Sequence, residues 1–303
     1  MKLDRFFVLV LLVLQGLFVC SCGRNMDKPK VVWAGCRSSE YGITKNYETK
    51  EIYPFPDAED WCGYVDKMVA NYPDSNGALV WIVTTMNGKH SCKANFPLSK
   101  PLDNVVGIRR DENEAYLKEF DKKGYSVWLQ VESADADICE LAEEILNRYK
   151  HHPCVKGFGV DVEWYFPNGP EAPYRGKGTK FGDEIAEKLD KTVKAINPEY
   201  NVFVKHWDFE WLPPEYRSDM IFVNDSQMFE SLEQFQDEFS AWTRYYEGNP
   251  VFFQIGYNSD KWLWGKFKNP AKDLGKYICE GIDCKADVGI IWVDFTLRQV
   301  LDK

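Results

Sequence analysis

Eight apolar segments recur at fairly even intervals along the chain, starting at residue 30 and ending at residue 295. They are rich in Val, Ile, Phe and Trp. They read as continuous apolar runs, which is typical of parallel strands buried on both faces. We predict strands over 30–35, 78–85, 126–132, 155–164, 201–207, 219–225, 251–257 and 288–295.

Segments with helical spacing lie between most of the predicted strands. In residues 57–72, for example, Trp61, Val65 and Met68 fall on one face of a helix. The link over residues 208–218 shows no clear helical pattern. Helices are predicted over 57–72, 112–124, 136–152, 181–198, 231–250, 271–281 and, in shortened form, 297–303.

Strands that alternate with helices in this way predict an α/β fold, a single (β/α)8 TIM barrel over residues 30–303. We expect it to be irregular after the fifth and eighth strands, where the helical pattern is weak or cut short. The alternative is a doubly wound open sheet. That fold normally carries a Gly-rich phosphate-binding turn after its first strand, and residues 33–42 lack the G-x-G-x-x-G pattern.

The first 22 residues have the pattern of a bacterial lipoprotein-type signal peptide. A short basic region, Lys2 and Arg5, precedes an apolar run over residues 6–14 that is too short to span a bilayer. The segment that ends at Cys22 resembles a lipobox, in which a small residue precedes the lipidated Cys. Cys22 is the predicted lipidation site, and residues 23–29 are the predicted tether. We therefore expect an exported protein that a lipid anchors to a membrane of the bacterial cell envelope or surface, with simple secretion as the alternative.

The composition of the chain narrows the classes of partner that we expect it to bind. The formal net charge of the 303-residue chain is −10 and no basic run is present, which argues against nucleic acid. Aromatic residues make up 15% of the chain and include 11 Trp, which suits a large core or a sugar-stacking cleft. No C-x-x-C pair occurs and the four His do not fall at zinc-ligand spacing with the cysteines, so we expect no metal and no cofactor.

Polar side chains collect at the carboxyl ends of the third to eighth predicted strands. In a barrel these ends meet at one mouth, where active sites lie. A polar ring there is costly unless each group is paired or used, so the alternatives are a ligand site and a self-satisfied hydrogen-bond network. Lys205 and His206 alternate, so only one of them should face the mouth. The predicted ligand-binding residues are Tyr165, His206, Asp208, Asp225, Gln227, Gln254, Tyr257, Trp292 and Asp294.

Some of these residues fit a structural role as well. His206 fits a capping or core position equally well, and a place in the barrel core fits Trp292. A divalent-metal site built from Asp161, Glu163, His206 and Asp208 is a less favoured alternative, because no spacing in the sequence demands it.

The fourth strand carries the candidate chemistry in its sequence GFGVDVEWYF, residues 157–166. Asp161, Glu163 and Tyr165 lie two apart and would share one face of a strand. Two carboxylates about 7 Å apart raise each other's proton affinity, so one can stay protonated while the other is ionised. Glycoside hydrolysis needs such a pair, a proton donor and a carboxylate that stabilises or attacks the cationic centre.

This motif resembles the D-G-x-D-x-D-x-E pattern of glycoside hydrolase family 18, the chitinases and endo-N-acetylglucosaminidases, and the D-x-E of family 25 lysozymes. With Asp161 and Glu163 laid on the terminal D-x-E, the resemblance implies that Glu163 is the proton donor and Asp161 its helper. A second alignment puts Tyr165 in place of the catalytic Glu, which implies an altered or inactive site.

The sequence therefore predicts an exported glycoside hydrolase with Glu163 and Asp161 as catalytic residues and a polysaccharide or glycan as substrate. The alternative is a surface lipoprotein of the same fold that binds glycans and has lost catalysis.

Overall fold

The predicted strand segments pair side by side in the computed structural model, which describes residues 28–167 and 178–302. Eight strands form parallel pairs in the order β1-β2-β5-β6-β7-β8-β9-β10, and β10 pairs with β1 to close the barrel. The strands are β1 (Lys30–Ser38), β2 (Asn76–Asn87), β3 (Ser91–Ala94), β4 (Val105–Val106), β5 (Ser126–Val131), β6 (Val155–Asp161), β7 (Asn201–Lys205), β8 (Ile221–Asn224), β9 (Val251–Ile255) and β10 (Asp287–Trp292).

Helices follow the barrel strands on the outside, so the predicted (β/α)8 fold is confirmed. Each predicted strand segment overlaps one barrel strand. The helices are α1 (Glu40–Ile43), α2 (Ala58–Asn71), α3 (Glu114–Lys123), α4 (Ile138–Tyr149), α5 (Asp183–Ile196), α6 (Leu232–Tyr245), α7 (Lys261–Trp264), α8 (Pro270–Gly281) and α9 (Asp294–Leu301).

Local signals fix where several helices begin and end. Asp57 forms a capping box with Asp60 at the start of α2, and the Asp137 side chain caps the start of α4. Gly124 ends α3 in the left-handed conformation, at φ 68°. The predicted irregularities are present: the link from β7 to β8 holds a three-residue 3-10 turn, Phe209–Trp211, and the last helix has eight residues.

Three parts of the fold differ from the prediction, and the first is the short helix α1, which no predicted helix covers. An antiparallel hairpin joins β2 to β3, and the short strand β4 then pairs with β3. The hairpin extends the end of β2 and its residues form no continuous apolar run, so the pattern gave no sign of it. Helix α7 lies within residues 261–270, a segment for which the sequence predicts a loop.

Side chains fill the inside of the barrel. Trp33, Trp128 and Phe252 meet there in edge and tilted contacts 5.2–5.9 Å between ring centroids. Phe203 also lies inside, and a Cβ on Gly159 of the neighbouring strand would come within 2.0 Å of its ring. Glycine at position 159 therefore makes room for Phe203. The barrel interior is a packed core, and a ligand can reach the fold's chemistry only at its mouth.

The predicted signal peptide, its lipidation site Cys22 and most of the tether lie outside the described residues. In the part of the chain that is described, no helix combines the length and the apolar character needed to cross a bilayer. The seven cysteines of that part are all unpaired thiols, and five of them are buried.

Candidate functional site

A cleft of about 680 Å³ opens at the carboxyl ends of the barrel strands. All eight barrel strands, or the residues that directly follow them, contribute to its walls, as expected for the catalytic face of this fold. Its charged and ionisable lining includes Arg37, Glu132, Asp161, Glu163, Lys205 and Asp225.

One buried lysine lies among three carboxylates at the floor of the cleft. Lys205 is 1% exposed, and its Nζ lies 2.9 Å from Asp161 Oδ2 and 3.8 Å from Glu163 Oε2. It also contacts Asp225 Oδ2. The parallel pairing of β6 with β7 sets Asp161 directly beside Lys205. We call Lys205, Asp161, Glu163 and Asp225 the lysine cluster.

The lysine cluster holds more acids than its single cation can neutralise. Asp161 Oδ1 and Asp225 Oδ1 are both buried, and neither has a hydrogen-bond partner within the described residues. A side-chain amide approaches the first carboxylate, since Gln130 Nε2 donates to Asp161 Oδ2 at 3.3 Å. Buried carboxylates with unmet oxygens are costly unless they are protonated or meet a ligand.

The proton affinities follow from this crowding. Burial raises the pKa of Asp161 to about 7, Lys205 opposes the shift, and Asp225 adds to it. Burial also raises the pKa of Glu163 well above its usual range, and Asp225 again adds to it. Burial alone would lower the pKa of Lys205, but the three carboxylates raise it well above its ordinary value. Lys205 therefore stays charged, while Asp161 and Glu163 keep their protons to a higher pH than ordinary carboxyls do.

Glu163 is the member of the lysine cluster that reaches solvent. Strand β6 ends at Asp161, and Val162–Trp164 form a 3-10 turn that lifts Glu163 to the cleft wall. The Glu163 side chain is 20% exposed, against 2% for Asp161 and 4% for Asp225. Trp164 lines the cleft beside it. A ligand in the cleft therefore meets the carboxyl of Glu163 before the other acids.

Glu132, the residue after β5, is a fourth acid in the cleft wall. Its Oε1 accepts from the hydroxyl of Tyr41 at 2.8 Å and its Oε2 accepts from the backbone N–H of Met86 at 2.9 Å. Burial raises the pKa of Glu132, while these hydrogen bonds and the charge of Arg37 oppose the shift. Both oxygens are thus held by the protein.

A second buried ion pair lies on the opposite side of the mouth. Arg37 Nε donates to Asp294 Oδ1 at 2.7 Å, and Ser39 Oγ donates to Asp294 Oδ2. The Arg37 guanidinium lies 6.0 Å from the ring centroid of Tyr257 and 5.0 Å from that of Phe295. Asp294 is 1% exposed and does not line the cleft, so its predicted sugar contact is replaced by a role in holding Arg37.

Five predicted site residues do line the cleft: Asp161, Glu163, Asp225, Gln227 and Tyr257. Gln227 is exposed and accepts from the hydroxyl of Ser259 at 3.1 Å. The cleft of the structure thus collects residues from three strand ends that the sequence pattern placed together.

Two predicted aromatic contacts lie elsewhere. The expectation that Tyr165 shares a face with Asp161 is wrong, because the 3-10 turn interrupts the strand between them. The Tyr165 ring is 6% exposed and packs against Phe181 at 5.4 Å, away from the cleft. Trp292 is fully buried against Trp264 and its Nε1 donates to Thr296 Oγ1, so it is not a platform for a sugar ring.

Three polar residues that we predict to bind a ligand instead contact other residues of the protein. His206 is fully buried and stacks on Trp211 with 12° between the ring planes. The side chain of Asp208 accepts from the backbone N–H of Glu210 and so caps the turn that follows β7. Gln254 is fully buried, 3.4 Å from the hydroxyl of Tyr257. None of the three lines the cleft.

Ten cleft residues are absent from the sequence-based list, and the four with the clearest chemistry are Arg37, Tyr41, Glu132 and Lys205. Glu132 and Lys205 stand at predicted strand ends, so position alone could have included them. Arg37 lies in β1, and Tyr41 comes shortly after that strand. We predict β1 to end at residue 35, but it runs to Ser38. A longer first strand would have put the polar residues after it at the same mouth.

A neighbouring cavity of about 510 Å³ shares Glu40 and Thr85 with the cleft. It is lined by the aromatic side chains of Phe55, Trp81 and Tyr116. Because the cavity adjoins the cleft, a ligand that is longer than the cleft could extend into it.

Comparisons with known proteins add little to this picture. No family model and no curated protein matches the chain. Among solved structures, the GH99 endo-alpha-mannosidase from Bacteriodes thetaiotaomicron, in complex with BIS-TRIS-Propane, matches with a TM-score of 0.39 and 12% identity. The match covers 79% of this chain and 70% of that chain. We draw no functional conclusion from so distant a similarity.

Proposed function

We propose that this protein is a glycoside hydrolase that cleaves a glycan or polysaccharide at the mouth of the barrel. The observation that carries the proposal is the state of Glu163. Its carboxyl reaches the cleft, and burial together with Asp225 and Asp161 raises its pKa. A carboxyl that stays protonated near neutral pH in an open cleft is the proton donor that glycoside hydrolysis requires.

The roles within the lysine cluster follow from exposure and charge. Glu163 gives its proton to the glycosidic oxygen as the bond to the anomeric carbon breaks. Asp225, which Lys205 contacts and which also lines the cleft, supplies the carboxylate that stabilises or attacks the cationic carbon. Water then adds its hydroxyl to that carbon, which breaks any bond that Asp225 has formed to it, and the remaining proton of the water returns to Glu163. Asp161 tunes the pKa of Glu163.

The spacing within the cluster suits this chemistry. Glu163 Oε2 and Asp225 Oδ2, the oxygens of the proposed catalytic pair, both lie within 4 Å of the same atom, Lys205 Nζ. The distance between these two carboxylate oxygens therefore cannot exceed the sum of their distances to Lys205 Nζ. Carboxyl pairs in glycosidases stand about 5–9.5 Å apart, depending on whether the anomeric configuration is retained or inverted. The pair is within reach of a single glycosidic bond.

Export and membrane attachment belong to the same proposal. Residues 1–22 and the lipidation site Cys22 support them by sequence pattern alone. A hydrolase outside the cytoplasm would encounter polysaccharides. A carbohydrate is therefore the partner that we propose for the cleft.

The test is incubation of the protein with a panel of glycans and detection of new reducing ends. We expect one or more substrates to be cut. We expect Glu163→Gln, which preserves shape and removes the proton, to lower the rate by about 10²–10⁴-fold. Glu247→Gln, at an exposed carboxylate between α6 and β9 that does not line the cleft, is the matched control and should keep the rate. Full activity of Glu163→Gln would contradict the assignment.

A second candidate is a glycan-binding protein without catalysis. The observation that favours it is the contact of Lys205 with Glu163, since a cation at 3.8 Å opposes the rise in the carboxyl's pKa. The same panel separates the two functions. Retention of a glycan on the protein without new reducing ends, equal for the wild type and Glu163→Gln, would establish binding alone.

A further inference from the structure

We infer that a divalent transition-metal ion, Zn²⁺ foremost, binds to Glu114, His151 and His152 on the outside of the barrel. Glu114 is the first residue of α3, and the two histidines follow the end of α4. One ligand atom from each of the three residues lies within 4.8 Å of the others. This site is separate from the cleft, and the inference does not rest on the proposed hydrolase function.

Both histidines turn their Nε2 atoms towards the carboxylate of Glu114. His151 Nε2 lies 3.2 Å from Glu114 Oε1, and His152 Nε2 lies 3.2 Å from Glu114 Oε2. Ligand atoms that each lie about 2 Å from a tetrahedral zinc ion are a little over 3 Å apart. Nitrogen and carboxylate oxygen are ligands that zinc prefers, and three protein ligands leave a fourth position for water.

The hydrogen-bond partners of the two Nδ1 atoms determine which nitrogen of each ring carries a proton. His151 Nδ1 lies 3.0 Å from the backbone carbonyl of Arg148, and His152 Nδ1 lies 2.6 Å from Asp121 Oδ2. Both partners only accept, so each Nδ1 carries a hydrogen and donates it. A neutral ring then has its Nε2 lone pair directed at Glu114. Metal-binding histidines have this arrangement, with the second nitrogen donated to a carboxylate or a carbonyl.

Lone pairs on Nε2 and on a carboxylate oxygen repel each other at 3.2 Å unless a positive charge lies between them. The two rings lie with their centroids 4.1 Å apart, so one cation placed between them and Glu114 can reach all three residues. A single divalent ion supplies that charge to Glu114 and to both rings at once. The geometry therefore favours the metal.

The site is held by the fold and open to solvent. The side chain of His152 is 4% exposed, while those of His151 and Glu114 are 55% and 51% exposed. Asp121 is itself fixed, because its Oδ1 accepts from the backbone N–H of Cys154 at 2.9 Å. An ion can therefore enter from water and link the start of α3 to the segment after α4.

The experiment is calorimetric titration of Zn²⁺ into protein that carries no polyhistidine tag and has been freed of metal with a chelator. We expect one ion per chain. His151→Ala removes an exposed ligand and should abolish the saturable binding, while Asp121→Asn, which acts through His152, should weaken it about 10–100-fold. His90→Ala is the control, because His90 is exposed and pairs with Asp135 instead.

Thermal unfolding with and without Zn²⁺ gives a second readout. Binding to the folded state should raise the melting temperature of the wild type and of His90→Ala, and should leave that of His151→Ala unchanged. Circular dichroism without metal verifies that each variant is folded. The inference is overturned if the wild type shows no saturable binding, or if His151→Ala binds Zn²⁺ as tightly as the wild type.

Discussion

The mouth of the barrel contains two buried ion-pair clusters that differ in their charge balance. On the side of β1 and β10, one cation, Arg37, meets one carboxylate, Asp294, whose other oxygen is bound by Ser39. On the side of β6–β8, one cation, Lys205, meets the three carboxylates of the lysine cluster. Both cations are almost fully buried, so solvent exposure does not explain the difference.

Charge balance decides what each cluster can do. Burial raises the pKa of Asp294, but Arg37 and Ser39 oppose the shift. At Glu163, two further carboxylates add to the effect of burial. The Arg37 pair sets one carboxylate against one cation, so it has no surplus acid that could give a proton to a ligand. The lysine cluster keeps surplus acids whose protons are available to a ligand in the cleft.

The largest expected effect is on stability, and it comes from removing the cations. Breaking a buried ion pair by removing one partner costs about 3–5 kcal/mol. Lys205→Met leaves three acids without their cation, whereas Arg37→Met leaves one. We expect Lys205→Met to lower the free energy of unfolding at pH 8 more than Arg37→Met does, as measured by urea denaturation. An equal or smaller loss for Lys205→Met would refute the contrast between the clusters.

A smaller effect is a pH dependence of stability at Asp161. Its pKa is about 7 in the folded protein and about 3.9 in an unfolded chain, so the folded state binds the proton more tightly between these values. Its contribution to stability is fully present below pH 4 and is lost as the pH rises through 7. Asp161→Asn cannot lose a proton, so its stability relative to the wild type should increase with pH by up to about 1.4 kcal/mol per pH unit.

Denaturation of the wild type and Asp161→Asn at a series of pH values from 4 to 8 measures this difference. Asp273→Asn, at an acid near the amino-terminal end of α8, provides a comparison outside the mouth. A difference between Asp161→Asn and the wild type that is constant across the series would show that Asp161 titrates normally.

The smallest expected effect is at Glu132. Tyr41→Phe removes the hydroxyl that donates to its carboxylate at 2.8 Å. Because Tyr41 is 39% exposed, water can replace part of this bond, and we expect a loss of about 1 kcal/mol in the free energy of unfolding. Tyr47→Phe, which removes a hydroxyl bound to a neutral backbone carbonyl, should cost less. A larger loss for Tyr47→Phe would show that the charge of Glu132 is unimportant.

The sequence predicted the barrel well because its signals are local. Continuous apolar runs mark the parallel strands, and helical spacing marks the helices between them. The hairpin of β2 and β3 was missed because its residues form no continuous apolar run.

The site was predicted only in part, because side-chain direction after a strand depends on the turn that follows. Asp161 and Glu163 were placed in the cleft, but the 3-10 turn after Asp161 sends Tyr165 to the helix side. Lys205 lies beside these acids because β6 pairs with β7. The sequence pattern of one segment does not show which residue of the next strand will stand opposite.

The central claim is that Glu163 holds a proton near neutral pH. Infrared spectroscopy of the protonated carboxyl C=O stretch, recorded as a function of pH, tests it without a substrate. We predict that the wild type and Glu40→Gln show the same protonated-carboxyl absorption at pH 7, and that Glu163→Gln shows less of it while keeping the contribution of Asp161. A spectrum of Glu163→Gln identical to that of the wild type at pH 7 would contradict the claim.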